Sequence, residues 1–266
     1  MNKRGTGGRI AAFFDLDGTL IAEPSAEWRF FANLRQRRAI PMRNYLLWLA
    51  RAVWLAPRGT EMVRHANKMY LRGLCASDPG SPDYGQLPRR GSGQAEMDVP
   101  RFFPEGVNQL AWHARQGHAI VLVSGTLAPL AQEMALALTI RLAVRGVPAS
   151  VTVCATRLEE NDGRWTGRIV GDAIFGVAKR RAVRRLAKEE GFDLARCYAY
   201  GDSASDRALL EAVGRPCVVN PLGEMERLAR KREWAVLVWT GQRKLAPVAQ
   251  TAQRRDAVVL RPGESA

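Results

Sequence analysis

Three short apolar runs in this chain each stop at a loop of small and acidic residues. The runs cover residues 9–14, 118–123 and 197–200. A run of this length is typical of a strand that is buried on both faces of a parallel sheet. Segments with helical periodicity alternate with the runs, so the sequence predicts an α/β fold with a doubly wound parallel sheet. The periodic segments are residues 104–116, 127–138, 179–190 and 205–213, and further strands are predicted at residues 151–155, 216–220 and 234–239, with a hairpin turn at Asn161-Asp162-Gly163.

The three loops occupy equivalent places in the predicted sheet, each directly after a strand. They begin at Asp15, Ser124 and Gly201. In doubly wound sheets, ligands bind beyond the carboxyl ends of the strands. We therefore expect the functional site where these loops converge.

About a hundred residues between the first two runs do not follow the alternation of strand and helix. Residues 27–36 and 43–74 have helical character, whereas residues 77–99 are rich in Gly, Pro and Ser. We interpret this region as an inserted helical cap that ends in a flexible loop. The predicted division is a core of residues 1–22 and 100–240, a cap of residues 23–99 and a basic C-terminal tail of residues 241–266.

The chain is strongly basic, with 40 Lys and Arg against 26 Asp and Glu and a net charge of +14. Such a surface attracts anions, which leaves phosphates, nucleic acid and anionic lipid open as ligands. The sequence contains no recognisable nucleic-acid motif, so we predict no specific nucleic-acid partner. The apolar run at residues 10–14 is too short for a signal peptide and no run is long enough to span a membrane, so we expect a cytoplasmic protein.

Asp15 and Asp17 stand two residues apart in Asp15-Leu16-Asp17-Gly18-Thr19, directly after the first run. At a strand end, one of two carboxylates can attack or bind a metal while its neighbour transfers a proton. The alternative is a turn in which the aspartate side chains cap a helix. The pentapeptide alone leaves both interpretations open.

Three other groups of polar residues follow in the chain. Ser124 and Gly125 could hold a phosphate through a hydroxyl and backbone N–H groups at a helix N-terminus. Lys179 lies near a helix start, where its charge opposes the helix dipole and so indicates a nearby anion. Asp202 and Asp206 supply two further carboxylates. Taken singly, each group is also explained by a helix cap or a solvated helix face.

Together, the order, residue types and strand context of these groups resemble the haloacid dehalogenase superfamily. The interval from Lys179 to Asp202 and the position of the cap resemble its subfamily IB, the branch that contains the phosphoserine phosphatases. The resemblance implies a Rossmann-like fold, Mg²⁺ as cofactor and phosphoryl transfer through an aspartyl-phosphate. It covers residues 9–239, and the matched motifs are Asp15-x-Asp17-Gly18-Thr19, Ser124, Lys179 and Gly201-Asp202-x-x-x-Asp206.

The resemblance also implies a role for each matched residue. Asp15 would be the nucleophile, and Asp17 the general acid that protonates the leaving group and then activates water. Mg²⁺ would be bound by Asp15, by the backbone carbonyl of Asp17 and by Asp202. Ser124 and Lys179 would bind the transferring phosphate, and Lys179 would also neutralise Asp15. The other implied residues are Gly18, Thr19 and Gly125 on the substrate, with Ser203 and Asp206 supporting the metal ligands and Lys179.

The cap is where the sequence departs from the phosphoserine phosphatases. Those enzymes carry a glutamate after the first motif that recognises the substrate's amino group. Residues 23–27 offer no clear equivalent, and Glu23 and Glu27 are the nearest candidates. Arg72 is a candidate substrate contact, with a helix-surface cation as its alternative.

Residues 40–57 join apolar and aromatic side chains to arginines. That composition is typical of a helix that lies on an anionic membrane surface. Apolar stripes on helices are usually buried, so we expect this segment to pack on its neighbours in the cap. An anionic membrane surface is the alternative partner.

Three functions follow from these observations. The first is a Mg²⁺-dependent phosphatase acting on a small soluble phosphomonoester similar to phosphoserine or histidinol phosphate. The second is a phospholipid phosphatase, such as a phosphatidylglycerophosphatase, peripheral to the membrane. The third is a basic binding module on a degenerate hydrolase core. We expect the first. The second would need the apolar stripe of residues 40–57 to face a membrane, and such stripes are usually buried. The third would require a degenerate core that lacks at least one of Asp15, Asp17, Ser124, Lys179 and Asp202, and all five are present.

Overall fold

Seven strands form one sheet in a computed structural model that describes residues 8–75 and 101–240. The predicted loop at residues 77–99 and the predicted tail at residues 241–266 lie outside these residues. The strands are β1 Ala11–Phe14, β2 Ala119–Leu127, β3 Val151–Asn161, β4 Arg164–Val170, β5 Tyr198–Gly201, β6 Arg215–Val219 and β7 Ala235–Leu237. Their order is β4-β3-β2-β1-β5-β6-β7, and all neighbours are parallel except β3 and β4. The predicted α/β sheet is confirmed.

Helices cover both faces of this sheet, as expected for a doubly wound fold. Successive side chains of β1 point to opposite faces. Ala12 and Phe14 pack into one apolar core, and Ala11 and Phe13 into another. Burial on both faces explains why the run at β1 is continuously apolar. The helices are α1 Ala26–Gln36, α2 Met42–Leu55, α3 Thr60–Ala66, α4 Pro104–Arg115, α5 Ala128–Val144, α6 Val177–Glu190, α7 Arg207–Leu210 and α8 Glu224–Lys231.

The β3–β4 connection is the predicted hairpin. Asp162 and Gly163 form its turn and both have positive φ angles, of 50° and 70°. Asn-Asp-Gly sequences suit such turns because they tolerate this backbone conformation at low cost. The hairpin places one antiparallel strand at the edge of an otherwise parallel sheet.

Two helix starts differ from the sequence predictions. Ser124 does not lie at a helix N-terminus, because β2 pairs with β3 as far as Leu127 and α5 begins only at Ala128. The predicted helix at residues 205–213 is a 3-10 turn, Ala204–Asp206, followed by the four-residue α7. Pairing with a neighbouring strand is a tertiary effect, and local periodicity does not contain it.

The cap elements α1, α2 and α3 come between β1 and α4 in the chain. α1 and residues 70–71 share a third apolar core with the hairpin and the start of α5, and Tyr45 of α2 packs against it. In this core Phe30 meets Trp165 edge to face at 6.3 Å between ring centroids. The expected packing of α2 is found only in part: Leu55 is buried and Tyr45 packs against this core, whereas Met42, Leu46, Leu49 and Val53 are exposed. The side-chain amide of Asn44 donates to the backbone carbonyls of Tyr70 and Arg72, which turns the Asn44 side of α2 towards the rest of the cap.

A buried hydrogen-bond network fixes the ends of β1 and β5. Tyr200 stacks on Phe14 with ring centroids 4.3 Å apart. Its hydroxyl lies 2.8 Å from Nε2 of His113 and accepts a hydrogen bond from Gln109. Nδ1 of His113 lies 2.8 Å from Nδ1 of His118. The two histidines therefore support the strands that lead into the loops at residues 15 and 202.

This network predicts a loss of stability in acid. Burial lowers the pKa of His113 to about 3, and the nearby charge of His118 adds to the effect. Between that value and the ordinary histidine pKa near 6.5, the unfolded chain binds the proton and the folded chain does not, so stability falls with pH. At about pH 5, the depressed pKa of His113 is expected to lower the free energy of unfolding by about 2 kcal/mol relative to neutral pH.

Urea unfolding of the protein and of His113→Asn, at neutral pH and near pH 5, measures this cost. Acid should lower the free energy of unfolding of the unsubstituted protein by about 2 kcal/mol more than that of the variant. Buried carboxylates titrate in both proteins, so their contribution cancels in the difference. Equal losses in the two proteins would show that His113 is not held neutral in the fold.

Candidate active site

Asp15 lies directly after β1, at the carboxyl end of the strand. Its backbone N–H donates to the carbonyl of Tyr200 at 2.9 Å, which continues the pairing of β1 with β5. Its Oδ1 accepts a hydrogen bond from Nζ of Lys179, which lies in the first turn of α6. The same Nζ lies 2.5 Å from Oδ1 of Asp206. The structure thus holds a buried lysine between two buried aspartates.

Asp202 follows β5 and faces the loop after β1. Its Oδ1 accepts a hydrogen bond from Oγ1 of Thr19 at 3.2 Å. Gly18 has a φ angle of +85°, and a Cβ atom there would lie 2.4 Å from Oδ2 of Asp202. Glycine at this position therefore permits both the backbone conformation and the close approach of the two loops.

Asp206 has both carboxylate oxygens engaged within the protein. Oδ1 binds Lys179, and Oδ2 accepts from the backbone N–H of Ser203 at 3.1 Å and from its hydroxyl at 2.8 Å. The side chain of Ser203 in turn accepts from the backbone N–H of Asp206, which completes a reciprocal cap at the start of the 3-10 turn. Asp206 therefore positions the ammonium group of Lys179, and Ser203 positions Asp206.

The side chain of Asp17 points towards the cap. One oxygen accepts from the backbone N–H of Ala26 at 2.7 Å, at the start of α1, and the other accepts from Oγ1 of Thr126 at 2.5 Å. Burial raises the pKa of Asp17, and the two hydrogen bonds oppose that rise. Asp17 is thus a carboxyl group of raised pKa, held between the cap and the end of β2.

Three carboxylates, those of Asp15, Asp202 and Asp206, have oxygens within 4.8 Å of one another. Burial raises the pKa of Asp15 well above its ordinary value, with Asp206 adding to the rise and Lys179 opposing it. Burial raises the pKa of Asp202 to about 7, again with a contribution from Asp206. Burial disfavours the charge of Lys179, but Asp15 and Asp206 together raise the pKa of its ammonium.

This cluster fits a divalent cation. Three carboxylates share one ammonium group, so the site has an excess of negative charge in a buried place. Hard cations prefer carboxylate oxygens. Within residues 8–75 and 101–240, Asp206 has both oxygens hydrogen-bonded, whereas Asp15 and Asp202 each retain an oxygen for a further ligand.

Three predicted substrate contacts, Ser124, Gly125 and Arg72, make no hydrogen bond to the aspartates and lysine of this cluster within the described residues. Ser124 is buried at the end of β2, where its Oγ accepts from the N–H of Thr126 at 3.1 Å. A Cβ atom at Gly125 would lie 3.1 Å from Nδ1 of His65, so the cap contacts the core at this residue. The side chain of Arg72 is exposed on the cap.

Two contributors to the site were not predicted from the sequence. Thr126, which binds Asp17, is two residues after Ser124, and its hydroxyl next to a predicted phosphate contact was the available signal. His65 stacks on Phe175 with ring centroids 4.7 Å apart, on the segment that leads into α6. No sequence signal identifies His65, because its contact depends on how the cap folds back on the core.

Glu27, a candidate for recognising an amino group, is paired inside the cap. Its Oε1 accepts from Nζ of the fully buried Lys68 and from the hydroxyl of Tyr70 at 3.0 Å. The charge of Glu27 is therefore balanced by Lys68.

The approach of Gly18 to Asp202 predicts a localised loss of activity. Gly18→Ala should lower kcat/KM about 100-fold, because the added methyl group displaces Asp202, and displacements of about 1 Å in a catalytic site have effects of that size. Gly171→Ala is the matched control, since Gly171 has a φ angle of +73° with no atom within 4 Å of the added Cβ. Steady-state kinetics of both variants test this, and equal losses would assign the effect to backbone strain instead of contact with Asp202.

The fold and the site define a class of enzyme: a Rossmann-like α/β enzyme with aspartates at the ends of neighbouring strands and a lysine between them. The sequence profile of the haloacid dehalogenase-like hydrolases matches residues 12–211, and the chain belongs to that family of enzymes. The resemblance predicted from the motifs is thereby confirmed.

Several relatives of the chain are named as phosphatases. The chain is 34% identical over 235 residues to a probable phosphatase of Mycobacterium tuberculosis, covering 86% of this chain and 75% of that protein. It is 30% identical over 239 residues to a phosphoserine phosphatase of the same organism, covering 90% and 73%. The fold is similar to a crystal structure of an apo phosphoserine phosphatase, with a TM-score of 0.55, 16% identity and coverage of 88% and 94%.

Proposed function

We propose that the protein is a Mg²⁺-dependent phosphatase that hydrolyses a small soluble phosphomonoester through an aspartyl-phosphate on Asp15. The observation that carries this proposal is the buried contact of Lys179 with Asp15 and Asp206, beside Asp202 at the carboxyl edge of the sheet. Membership of the hydrolase family and the names of its relatives support it.

The carboxylates of Asp15 and Asp202 would hold the metal ion, together with the backbone carbonyl of Asp17. When bound, Mg²⁺ offsets the repulsion between an anionic nucleophile and an anionic phosphate. Asp206 would remain bonded to Lys179 and Ser203, since both of its oxygens are already engaged.

Two displacements at phosphorus complete the reaction. A carboxylate oxygen of Asp15 attacks, the bond to the leaving oxygen breaks, and Asp17 gives that oxygen a proton. Asp17 then takes a proton from the attacking water, the bond between Asp15 and phosphorus breaks, and inorganic phosphate leaves. The raised pKa of Asp17 suits an acid that works near neutral pH. Lys179 and Ser124 bind the phosphoryl oxygens and stabilise the charge that develops there.

The cap argues against an amino-group substrate recognised by Glu27. Binding such a group would require Glu27 to leave Lys68, whose ammonium is fully buried. Breaking one partner from a buried ion pair is costly, because the other charge is left without compensation. Among small phosphomonoesters, we therefore expect phosphoserine to be a poorer substrate than compounds without an amino group next to the phosphate.

A phosphate carried by a lipid is the second candidate substrate, and it would place the enzyme peripheral to the membrane. One observation favours it: α2 exposes an apolar face to solvent. The chemistry at Asp15 would be the same, since only the leaving group differs.

Phosphate release across a panel of substrates tests the proposal. The panel holds phosphoserine, histidinol phosphate, other small phosphomonoesters and detergent-dispersed phosphatidylglycerophosphate, each with Mg²⁺ and with a chelator in excess. We expect Mg²⁺-dependent release from one soluble substrate and none from Asp15→Asn. Selective lipid turnover would establish the second candidate. Absence of Mg²⁺-dependent release from every substrate would contradict both and favour a binding module on a degenerate core.

A further inference from the structure

The outward side of α2 carries a continuous apolar stripe. Met42, Leu46, Leu49 and Val53 are 77%, 68%, 58% and 68% exposed. Their spacing of four, three and four residues places them on one face of the helix. On a helix of a soluble domain, such a stripe normally faces the core, so its exposure needs a specific explanation.

The orientation of α2 is fixed by hydrogen bonds on its other side. The side-chain amide of Asn44 donates to the carbonyls of Tyr70 at 3.1 Å and Arg72 at 2.7 Å. The amide of Asn67 donates to the carbonyl of Trp48 at 2.8 Å. Rotating the stripe inward would break these buried and partly buried bonds and leave their partners unsatisfied. The side of α2 that carries Asn44 and Leu55 therefore faces the cap, and the apolar stripe faces away from it.

The segment that carries the stripe is rich in arginine, and two of these arginines lie over an exposed tryptophan ring. Residues 28–60 contain seven arginines and no acidic residue. The guanidinium carbons of Arg51 and Arg58 each lie 4.1 Å from the ring centroid of Trp54, which is half exposed. Apolar side chains beside tryptophan and arginine are the composition of a helix at the boundary between lipid headgroups and acyl chains.

We propose that α2 docks the protein onto an anionic lipid surface. The stripe enters the headgroup boundary, and the arginines of residues 28–60 contact lipid phosphates. The helix has 14 residues and is therefore about 21 Å long, shorter than the roughly 30 Å of a bilayer core, so it lies along the surface. None of the helices in residues 8–75 and 101–240 has the length and apolar character needed to cross a bilayer.

The positive charge of residues 28–60 argues against a second copy of the chain as the partner that covers the apolar stripe. A symmetric dimer through this face would bring the same arginine-rich segment of each copy together. Like charges in such an interface are unfavourable, whereas lipid phosphates complement them. This inference is independent of the substrate, because docking does not use any residue of the candidate active site.

Co-flotation with vesicles tests the proposal. One set of vesicles contains phosphatidylcholine alone, and the other contains phosphatidylcholine mixed with phosphatidylglycerol. We expect the protein to float with the mixed vesicles, less so at high salt, and to remain in solution with phosphatidylcholine alone. Leu46→Gln/Leu49→Gln should lower the partition constant at least about tenfold, since two side chains no longer enter the lipid.

The matched control is Leu136→Gln/Val144→Gln, which replaces two exposed apolar residues of α5. This control should float as the unsubstituted protein does, and thermal unfolding should be unchanged in both double variants. Failure of the unsubstituted protein to float with the anionic vesicles would overturn the proposal. So would equal flotation of the two double variants, or a dimer in sedimentation equilibrium that only Leu46→Gln/Leu49→Gln dissociates.

Discussion

Asp15→Asn is expected to lower kcat by at least about 10⁴-fold, because an amide cannot attack phosphorus and form the acyl phosphate. The amide has the shape of the carboxylate, and its oxygen can still accept the hydrogen bond from Lys179. Burial raises the pKa of Asp15, so a neutral side chain at this place is compatible with the fold. The variant should therefore be inactive and folded.

Steady-state kinetics and thermal unfolding of this variant give the two readouts. Asp172→Asn is the matched control, since Asp172 is an exposed aspartate paired with Arg181 on the surface. The control should retain full activity. Substantial phosphatase activity in Asp15→Asn would remove Asp15 from the nucleophile's role.

Lys179→Met is expected to affect both catalysis and stability. The methionine keeps most of the side-chain volume, but Asp15 and Asp206 lose the cation between them. Leaving buried charges without a partner costs about 3–5 kcal/mol of unfolding free energy at neutral pH. The rate should fall about 10²- to 10³-fold, because the ammonium group that contacts the transferring phosphoryl group is missing.

The pH dependence of this variant has a definite sign. Burial and Asp206 raise the pKa of Asp15 in the folded state, so acid relieves the uncompensated charge by protonating it. The stability difference from the unsubstituted protein should therefore shrink as pH falls from about 8 to about 5.

Urea unfolding across this range is the measurement, with Lys188→Met on the exposed side of α6 as the control. The control should match the unsubstituted protein in rate and in stability. The burial of Lys179 already excludes the solvated helix face that the sequence left open. Unchanged rate and stability in Lys179→Met would contradict its role in pairing Asp15 and Asp206 and in binding the phosphoryl group.

The central part of the sheet was predictable because burial on both faces leaves a continuous apolar run. The run at residues 9–14 contains β1, and Asn161-Asp162-Gly163 marks the β3–β4 hairpin. The end of β2 was not predictable, since its extension past Ser124 depends on pairing with β3. For α2, periodicity revealed an apolar stripe but not its direction, which is determined by the contacts of Asn44.

The candidate site, too, was predictable from the sequence only in part. Order and spacing indicated Asp15, Lys179, Asp202 and Asp206, and the fold brings these four together. The motif did not indicate the partners of the Asp17 side chain, which are the backbone N–H of Ala26 and the hydroxyl of Thr126. The direction of the Asp17 side chain depends on where the cap begins.

Trapping the covalent intermediate tests the central claim most directly. The enzyme is mixed with Mg²⁺ and its best substrate and quenched in acid during turnover. Digestion and fragmentation by mass spectrometry then locate any added phosphoryl group in the peptide of residues 10–29. We expect one acid-stable, base-labile phosphoryl group on Asp15, and none in Asp15→Asn. A phosphoryl group on Asp17, or turnover with an unmodified peptide under conditions that trap an acyl phosphate in a related phosphatase, would contradict it.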